Sequence, residues 1–190
     1  YQDNQNCLST LKSLEGMTEA EVIVVDGNDV PSEVVLERVK DLNKGYQHFP
    51  SSTIQQAMNL GLTVSQGKWV WFLNSGDELT NAGELLLTLK AHHDYDLFIG
   101  NAKIRSLDGQ LYLWIYPGFM DWKLAYGIKT FCHQACIFDR NKLIAIGGYP
   151  DDSHFDTIVI YYFVKEHKVS LVPDFEVMYL AGGRSSRESL

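Results

Sequence analysis

No apolar run in this sequence approaches the ~20 residues needed to cross a bilayer, so a membrane-spanning helix is excluded and a soluble protein is expected. Low-complexity tracts, internal repeats and linkers rich in proline, glycine or serine are also lacking. For 190 residues that leaves one domain, large enough to bury roughly 70% of its unfolded surface without a covalent staple. Cysteine is scarce: Cys7, Cys132 and Cys136 form an odd set without framework spacing. No secretory-signal pattern stands at the N-terminus, and a cytoplasmic location is the expectation. Clusters of Lys or Arg are missing too. With 16 basic against 24 acidic residues the formal charge is −8, which argues against nucleic acid as a partner. An anionic ligand would have to be held locally, by a metal or by a few placed donors. Finally, no G-x-G-x-x-G follows the first apolar run, so a dinucleotide-dependent oxidoreductase is disfavoured.

What is present is an alternation of elements. Cys7, Leu8, Leu11 and Leu14 recur at helical spacing, and "EAEVIVVDGND" follows as a β-branched strand that stops at Asp-Gly. "SEVVLERVKDL" reads as a second helix, "NKGYQHFPSS" as a polar loop, and "TIQQAMNLGLTVSQG" as a third helix. The run "WVWFLNSGDEL" then drives a buried strand to an abrupt polar end. Further on, "GELLLTLKAH" is a helix and "YDLFIGNAKI" a strand. "GQLYLWIYPG", "KTFCHQACIFD" and "KVSLVPDFEVMYLAGG" are strand-like. In "CHQAC" the residues Cys132, Gln134 and Cys136 are expected on one face of a strand, as buried thiols rather than zinc ligands, since no fourth ligand stands at the right spacing. Continuous apolar strands with turn residues at their carboxyl ends suit a parallel sheet covered on both faces, whose ligands sit at those ends.

The ordered set "EVIVVDG", "AMNLGLTVSQGKWVWFLNSGDEL", "HQACIF", "GGYPDD", a lone Asp156 and "AGGRS" resembles the family 2 glycosyltransferases of GT-A fold. Bacterial transferases that build colanic acid, O-antigen and other surface polysaccharides are the nearest in kind. The resemblance implies an α/β fold of GT-A (Rossmann-like) type, with a mixed, mostly parallel sheet flanked by helices. A nucleotide-binding half would cover about residues 1–100 and an acceptor half about 101–190. It further implies an inverting enzyme that moves a sugar from a nucleoside-diphosphate sugar to a saccharide or lipid-linked saccharide. Peripheral association with the inner face of a membrane is compatible with that role.

By the same resemblance Asp77 is the metal ligand, for Mg2+ or Mn2+, with Asn74 in support. Asp156 is the general base, with Asp151 and Asp152 as competitors. Asp26 and Asn28 lie at the nucleotide, His133 and Gln134 on the acceptor side, and Arg184 near the diphosphate. On residue chemistry alone Asp77 and Asp156 could instead cap helices, the latter one starting at Thr157, and Asp26 could be a turn former. Asn28-Asp29-Val30-Pro31, Asn43 and Gln56 depart from the family pattern. These departures keep open a non-catalytic binding module of the same fold. The family's opening apolar strand has no counterpart before "YQDN", so a sheet lacking its first strand is also expected.

Overall fold

A computed structural model describes residues 4–42, 44–105, 110–114 and 131–180. Helix α1 (Asn4–Ser13) leads to β1 (Ile23–Asp26), and α2 (Glu33–Asp41) to β2 (Gly45–His48). Then come α3 (Ile54–Val64), β3 (Trp69–Trp71), β4 (Glu78–Leu79), α4 (Ala82–Ala91), β5 (Leu97–Arg105) and β6 (Leu111–Trp114). A 3-10 turn (His133–Ala135) precedes β7 (Cys136–Asp139), α5 (Arg140–Ala145), α6 (Phe155–Glu166) and β8 (Val169–Leu180). None of the described helices is long and apolar enough to cross a membrane.

Local chemistry accounts for the helices. Ser32 caps α2 by accepting from Val35 N–H, Glu33 lies at its start, and Arg38 and Lys40 lie at its end, matching the helix dipole. Val35 and Val39, four residues apart, turn one buried stripe inward. Thr53 opens α3 with a capping box: its hydroxyl accepts from Gln56 N–H while the Gln56 side chain accepts from Thr53 N–H. Gln56, which departs from the family pattern, thus serves to start a helix.

The strands form two sheets. β1 and β2 pair in parallel; β3, β7, β5, β8 and β4 follow in that order, with β6 added to β5. The mixed α/β class is as expected. Parallel contacts, β1 with β2 and β5 with β8, are outnumbered by antiparallel ones among the described strands, because β4, β6 and β7 each run against their neighbours. The expected division near residue 100 falls within β5, whose pairing with β8 runs across it. A register shift at Gly100 lets β5 follow β8; a Cβ there would stand 2.4 Å from the Phe175 ring and carbonyl.

Residues alternate across the large sheet. Val70, Leu97, Ile99, Cys136 and Phe138 meet Met58 and Leu62 of α3, Leu143 of α5 and Val159, Ile160 and Phe163 of α6. Phe98, Ile137, Val172 and Val177 face the other way, onto Leu14, Met17 and Leu85. Each fully buried Phe or Leu contributes roughly 1.5–3 kcal/mol of transfer free energy.

Four local expectations are corrected. The segment taken as a polar loop contains β2, whose backbone completes a ladder with β1 despite its polar side chains. "CHQ" is not part of a strand: the 3-10 turn breaks the alternation that would have aligned Cys132, Gln134 and Cys136. No helix starts directly after Asp77, where β4 pairs with β8 instead. Asp156 is not a helix cap; it lies inside the first turn of α6, which His154 precedes as the capping residue.

Candidate functional site

At the carboxyl end of β1, Asp26 faces inward and is only 7% exposed. Its Oδ1 accepts from Asn28 N–H (2.9 Å) and Asn28 Nδ2 (2.7 Å), and its Oδ2 from Ser32 N–H (3.1 Å) and Tyr46 Oη (2.5 Å). Burial pushes the carboxyl up, but the donors from Tyr46, Asn28 and Ser32 outweigh it and hold the group below its ordinary value. Burial and the Asp26 charge push the Tyr46 phenol up. On the rim, the Asn28 carbonyl meets His48 Nε2 at 2.8 Å, and the Ser51 hydroxyl donates to Asp29 at 2.7 Å.

At the end of β3 the chain turns through Asn74, Ser75 and Gly76, the last with φ +96°. Asn74 and Ser75 are exposed, whereas Asp77 is 2% exposed. The Asp77 backbone N–H donates to the Asn74 carbonyl (3.0 Å), its Oδ2 accepts from Asn74 N–H (3.3 Å), and its Oδ1 accepts from Leu180 N–H (3.0 Å). Gly76 N–H donates to Thr10 Oγ1 of α1 (2.9 Å). The carboxyl is therefore a strut between the turn and the end of β8. Burial pushes it up to about 7, against the two backbone donors.

The third group gathers around the "HQAC" and "GGYP" segments. His133, buried on its 3-10 turn, stacks on Phe72 (centroids 6.1 Å) and places Nε2 2.7 Å from Tyr149 Oη. Phe155, at the start of α6, presents its edge to both His133 and Tyr149. Burial pushes the Tyr149 phenol well up, and the Cys136 and Asp156 charges push the same way. Asp156 Oδ1 accepts from Thr157 N–H (2.7 Å) and Thr157 Oγ1 (3.3 Å), at the positive end of α6. Asp151 and Asp152 lie on the exposed loop before it, and Asp152 accepts from His154 N–H (2.7 Å).

His133 and Tyr149 thus meet Phe155, the residue before Asp156 in the first turn of α6, Asp26 and Asn28 form a second group, and Asn74 lies exposed on the turn after Phe72 and Leu73. Arg184 lies outside the described residues. Two positions escaped the reading of the sequence. Asn59 clasps Tyr149 from both sides: Nδ2 donates to the Tyr149 carbonyl and Oδ1 accepts from Tyr149 N–H, each at 2.8 Å. Tyr46 braces Asp26. For Asn59 the signal was present, an amide beside the buried Met58 in an otherwise apolar helix stripe.

Among the described residues no group of three or more His, Cys, Asp or Glu could hold a metal ion. Asp77 alone does not fit Mg2+ or Mn2+ as placed, since a hard cation needs outward-facing ionised oxygens. This carboxyl is enclosed, and both its oxygens face backbone donors.

Residues 2–147 match the sequence profile described as Glycosyl transferase family 2. The chain belongs to glycosyl transferase family 2. Curated relatives named PGL/p-HBAD biosynthesis glycosyltransferase, from Mycobacterium bovis and Mycobacterium tuberculosis, are 26% identical over 136 residues, covering 68% of this chain and 51% of theirs. The family 2 chain here therefore spans about half the length of those relatives.

Among solved structures, S. aureus TarS 1-349 in complex with UDP-GlcNAc superposes with a TM-score of 0.74 at 16% identity, over 100% of this chain and 59% of that one. The mannosyltransferase PcManGT from Pyrobaculum calidifontis, in complex with GDP-Man and Mn2+, gives 0.65 at 14% identity, over 99% and 56%. These likenesses carry the fold. Of the site residues, Asp26, Asn28, Asn74, Asp77 and His133 fall inside the family 2 match, and Asp156 and Arg184 beyond it.

Proposed function

We propose that this family 2 domain transfers a sugar, with inversion, from a nucleoside-diphosphate sugar to a hydroxyl of a saccharide or lipid-linked saccharide. Surface polysaccharide synthesis, at the cytoplasmic face of a membrane, is the setting this reading favours. TarS with UDP-GlcNAc and PcManGT with GDP-Man support the donor class. The observation behind the mechanism is the place of Asp156 in the first turn of α6, next in sequence to Phe155, whose ring meets both members of the buried Tyr149–His133 pair.

In this mechanism Asp156 accepts the acceptor's proton as its oxygen attacks the anomeric carbon from the face opposite the leaving diphosphate. Such a base contributes about 10²–10⁴ in rate. Tyr149 holds the His133 ring beside Phe72, at the end of β3, while Asn28, Asn74 and Arg184 offer neutral or positive donors to the nucleotide and diphosphate. A divalent cation, when bound, neutralises a departing diphosphate. Because Asp77 as placed does not fit one, the steps proposed rest on the chain's own residues.

One observation favours a second reading, a binding module without turnover: Asp26 spends its oxygens on four internal donors and Gln56 serves a helix cap. Thermal shift against UDP, GDP and dTDP, with and without Mn2+, followed by transfer assays on wild type and Asp156→Asn, separates the two. An enzyme binds one nucleotide and loses turnover about 10²–10⁴-fold in the variant while keeping donor affinity. Donor binding with no turnover in either protein leaves the module reading.

A further inference from the structure

The main chain at Tyr149 is held by a side chain from far along the sequence. Gln55 and Asn59 stand four residues apart on α3 and so share one face of that helix. Gln55 Nε2 donates to the Asp152 carbonyl at 2.9 Å, while Asn59 donates to the Tyr149 carbonyl and accepts from Tyr149 N–H, each at 2.8 Å. Past the end of the same helix, the Arg140 guanidinium donates to the Leu62 and Thr63 carbonyls and to the Ser65 hydroxyl. The stretch from Arg140 to Asp152 is therefore pinned along the length of α3.

The two bonds of Asn59 need a group that donates and accepts at once on a short stem. An aspartate lacks the donor and an alanine lacks both. The approach is also close: Gly148 takes φ +73°, and a Cβ there would stand 2.3 Å from Asn59 Oδ1. Beyond its main chain, Tyr149 is 3% exposed, its ring meets Phe72 and Phe155 edge to face, and its hydroxyl ends 2.7 Å from His133 Nε2. Asn59 thus fixes one end of this residue and His133 meets the other. A main-chain shift of about 1 Å away from the ring would carry the phenol beyond hydrogen-bond reach.

The geometry points to Asn59 as the positioning residue of the His133 imidazole: it sets the Tyr149 main chain, and through it the phenol that holds the ring beside Phe72 at the end of β3. The approach to α3 is fastened to the turn after Asp26, where Ser51 N–H donates to the Gly27 carbonyl (3.1 Å) and the Ser51 hydroxyl to Asp29. One helix therefore ties the Asp26–Asn28 group to the His133 group. The placement stands on this geometry; its consequence for turnover rests on the sugar-transfer reading.

The test reads the His133 ring nitrogens by NMR at fixed pH in wild type, Asn59→Ala, Gln56→Ala and Tyr149→Phe, beside kcat and the donor KM. Tyr149→Phe gives the resonance of a ring without the phenol. Asn59→Ala is expected to move the Nε2 resonance at least half-way to that value and to lower kcat about 10–100-fold with the donor KM kept, because misplacement near a reacting centre acts on the transition state. Gln56→Ala weakens the start of the same helix without touching Tyr149, and should leave both the resonance and kcat as in wild type. An unmoved resonance in Asn59→Ala overturns the proposal; so does an equal shift in Gln56→Ala, or a moved resonance with wild-type kcat. If wild type shows no turnover, it is the sugar-transfer reading that fails, and the resonance alone decides the placement. Should Asn59→Ala not fold, Asn59→Asp, which keeps the bond from Tyr149 N–H and gives up the one to its carbonyl, is read in the same way.

Discussion

Replacing Asp77 by Asn should stabilise the protein relative to wild type as the pH rises, the opposite of what loss of an ionised ligand or cap would do. The carboxyl is 2% exposed, and burial pushes it from an ordinary 3.8 to about 7. A folded-state value above the unfolded one means that the folded protein holds the proton more tightly. The stabilisation is full below about pH 4 and is lost as pH rises through 7. About three pH units at 1.36 kcal/mol each give roughly 4 kcal/mol in all, of which about 2 kcal/mol disappears between pH 5.5 and 8.5. Asn mimics the protonated group, accepting from Leu180 N–H with its oxygen. Its amide then faces Asn74 N–H, at a pH-independent cost of about 1 kcal/mol. Urea unfolding of both proteins at pH 5.5, 7 and 8.5 reads the difference. The variant should gain about 2 kcal/mol on wild type across that range, and Mn2+ should change neither midpoint. A pH-independent difference, or a variant weaker by 2–3 kcal/mol at pH 8.5, would refute the reasoning and make Asp77 an ionised acceptor.

Asp26→Ala strands the Ser32 and Tyr46 donors and should cost about 3 kcal/mol at pH 7 by urea unfolding. Because the Asp26 value is lowered, its contribution is present above the ordinary carboxylate range and lost as pH falls through the folded value, so the difference should shrink in acid. Gly148 has φ +73°, and a methyl there would stand 2.3 Å from Asn59 Oδ1; Gly148→Ala should cost about 3 kcal/mol or more in unfolding free energy. Gly147, with φ +92° and nothing within 4 Å, should cost only the conformational part, about 1–2 kcal/mol, on the same measurement. Gln56→Ala removes one arm of the α3 capping box and should lower thermal stability by about 0.5–1 kcal/mol.

The sequence announced what is decided locally. α2 and α3 were legible because Ser32, and Thr53 with Gln56, act within one turn of chain. β1, β5 and β8 were legible because their β-branched and aromatic residues are bounded by turn signals. β2 was not, since Gly45-Tyr46-Gln47-His48 carries no apolar alternation and becomes a strand only because β1 offers an edge. "CHQAC" misled for the converse reason: its period-two pattern matched a strand while the backbone took a 3-10 turn. At the site, the sequence put carboxylates at strand ends but could not say which way they face. That depends on partners far along the chain, Tyr46 for Asp26 and Leu180 for Asp77, 20 and 103 residues away.

The facing of these carboxylates has a consequence for any diphosphate ligand. In a chain of formal charge −8, two ionised aspartates pointing out of the strand ends would repel it at close range. Here Asp26 spends its charge on Tyr46, Asn28 and Ser32, and Asp77 is enclosed with its value raised toward neutrality. The residues exposed at the strand ends are Asn74 and Ser75, with Asn28 half-buried beside Asp26. Under the proposed sugar-transfer reading, anion binding by such a surface would rely on neutral donors. Its affinity for a nucleoside diphosphate should therefore fall more on Asn74→Leu than on Asp77→Asn, an ordering that isothermal titration calorimetry at pH 7 reads directly. The reverse ordering would return the dominant role to the Asp77 carboxylate.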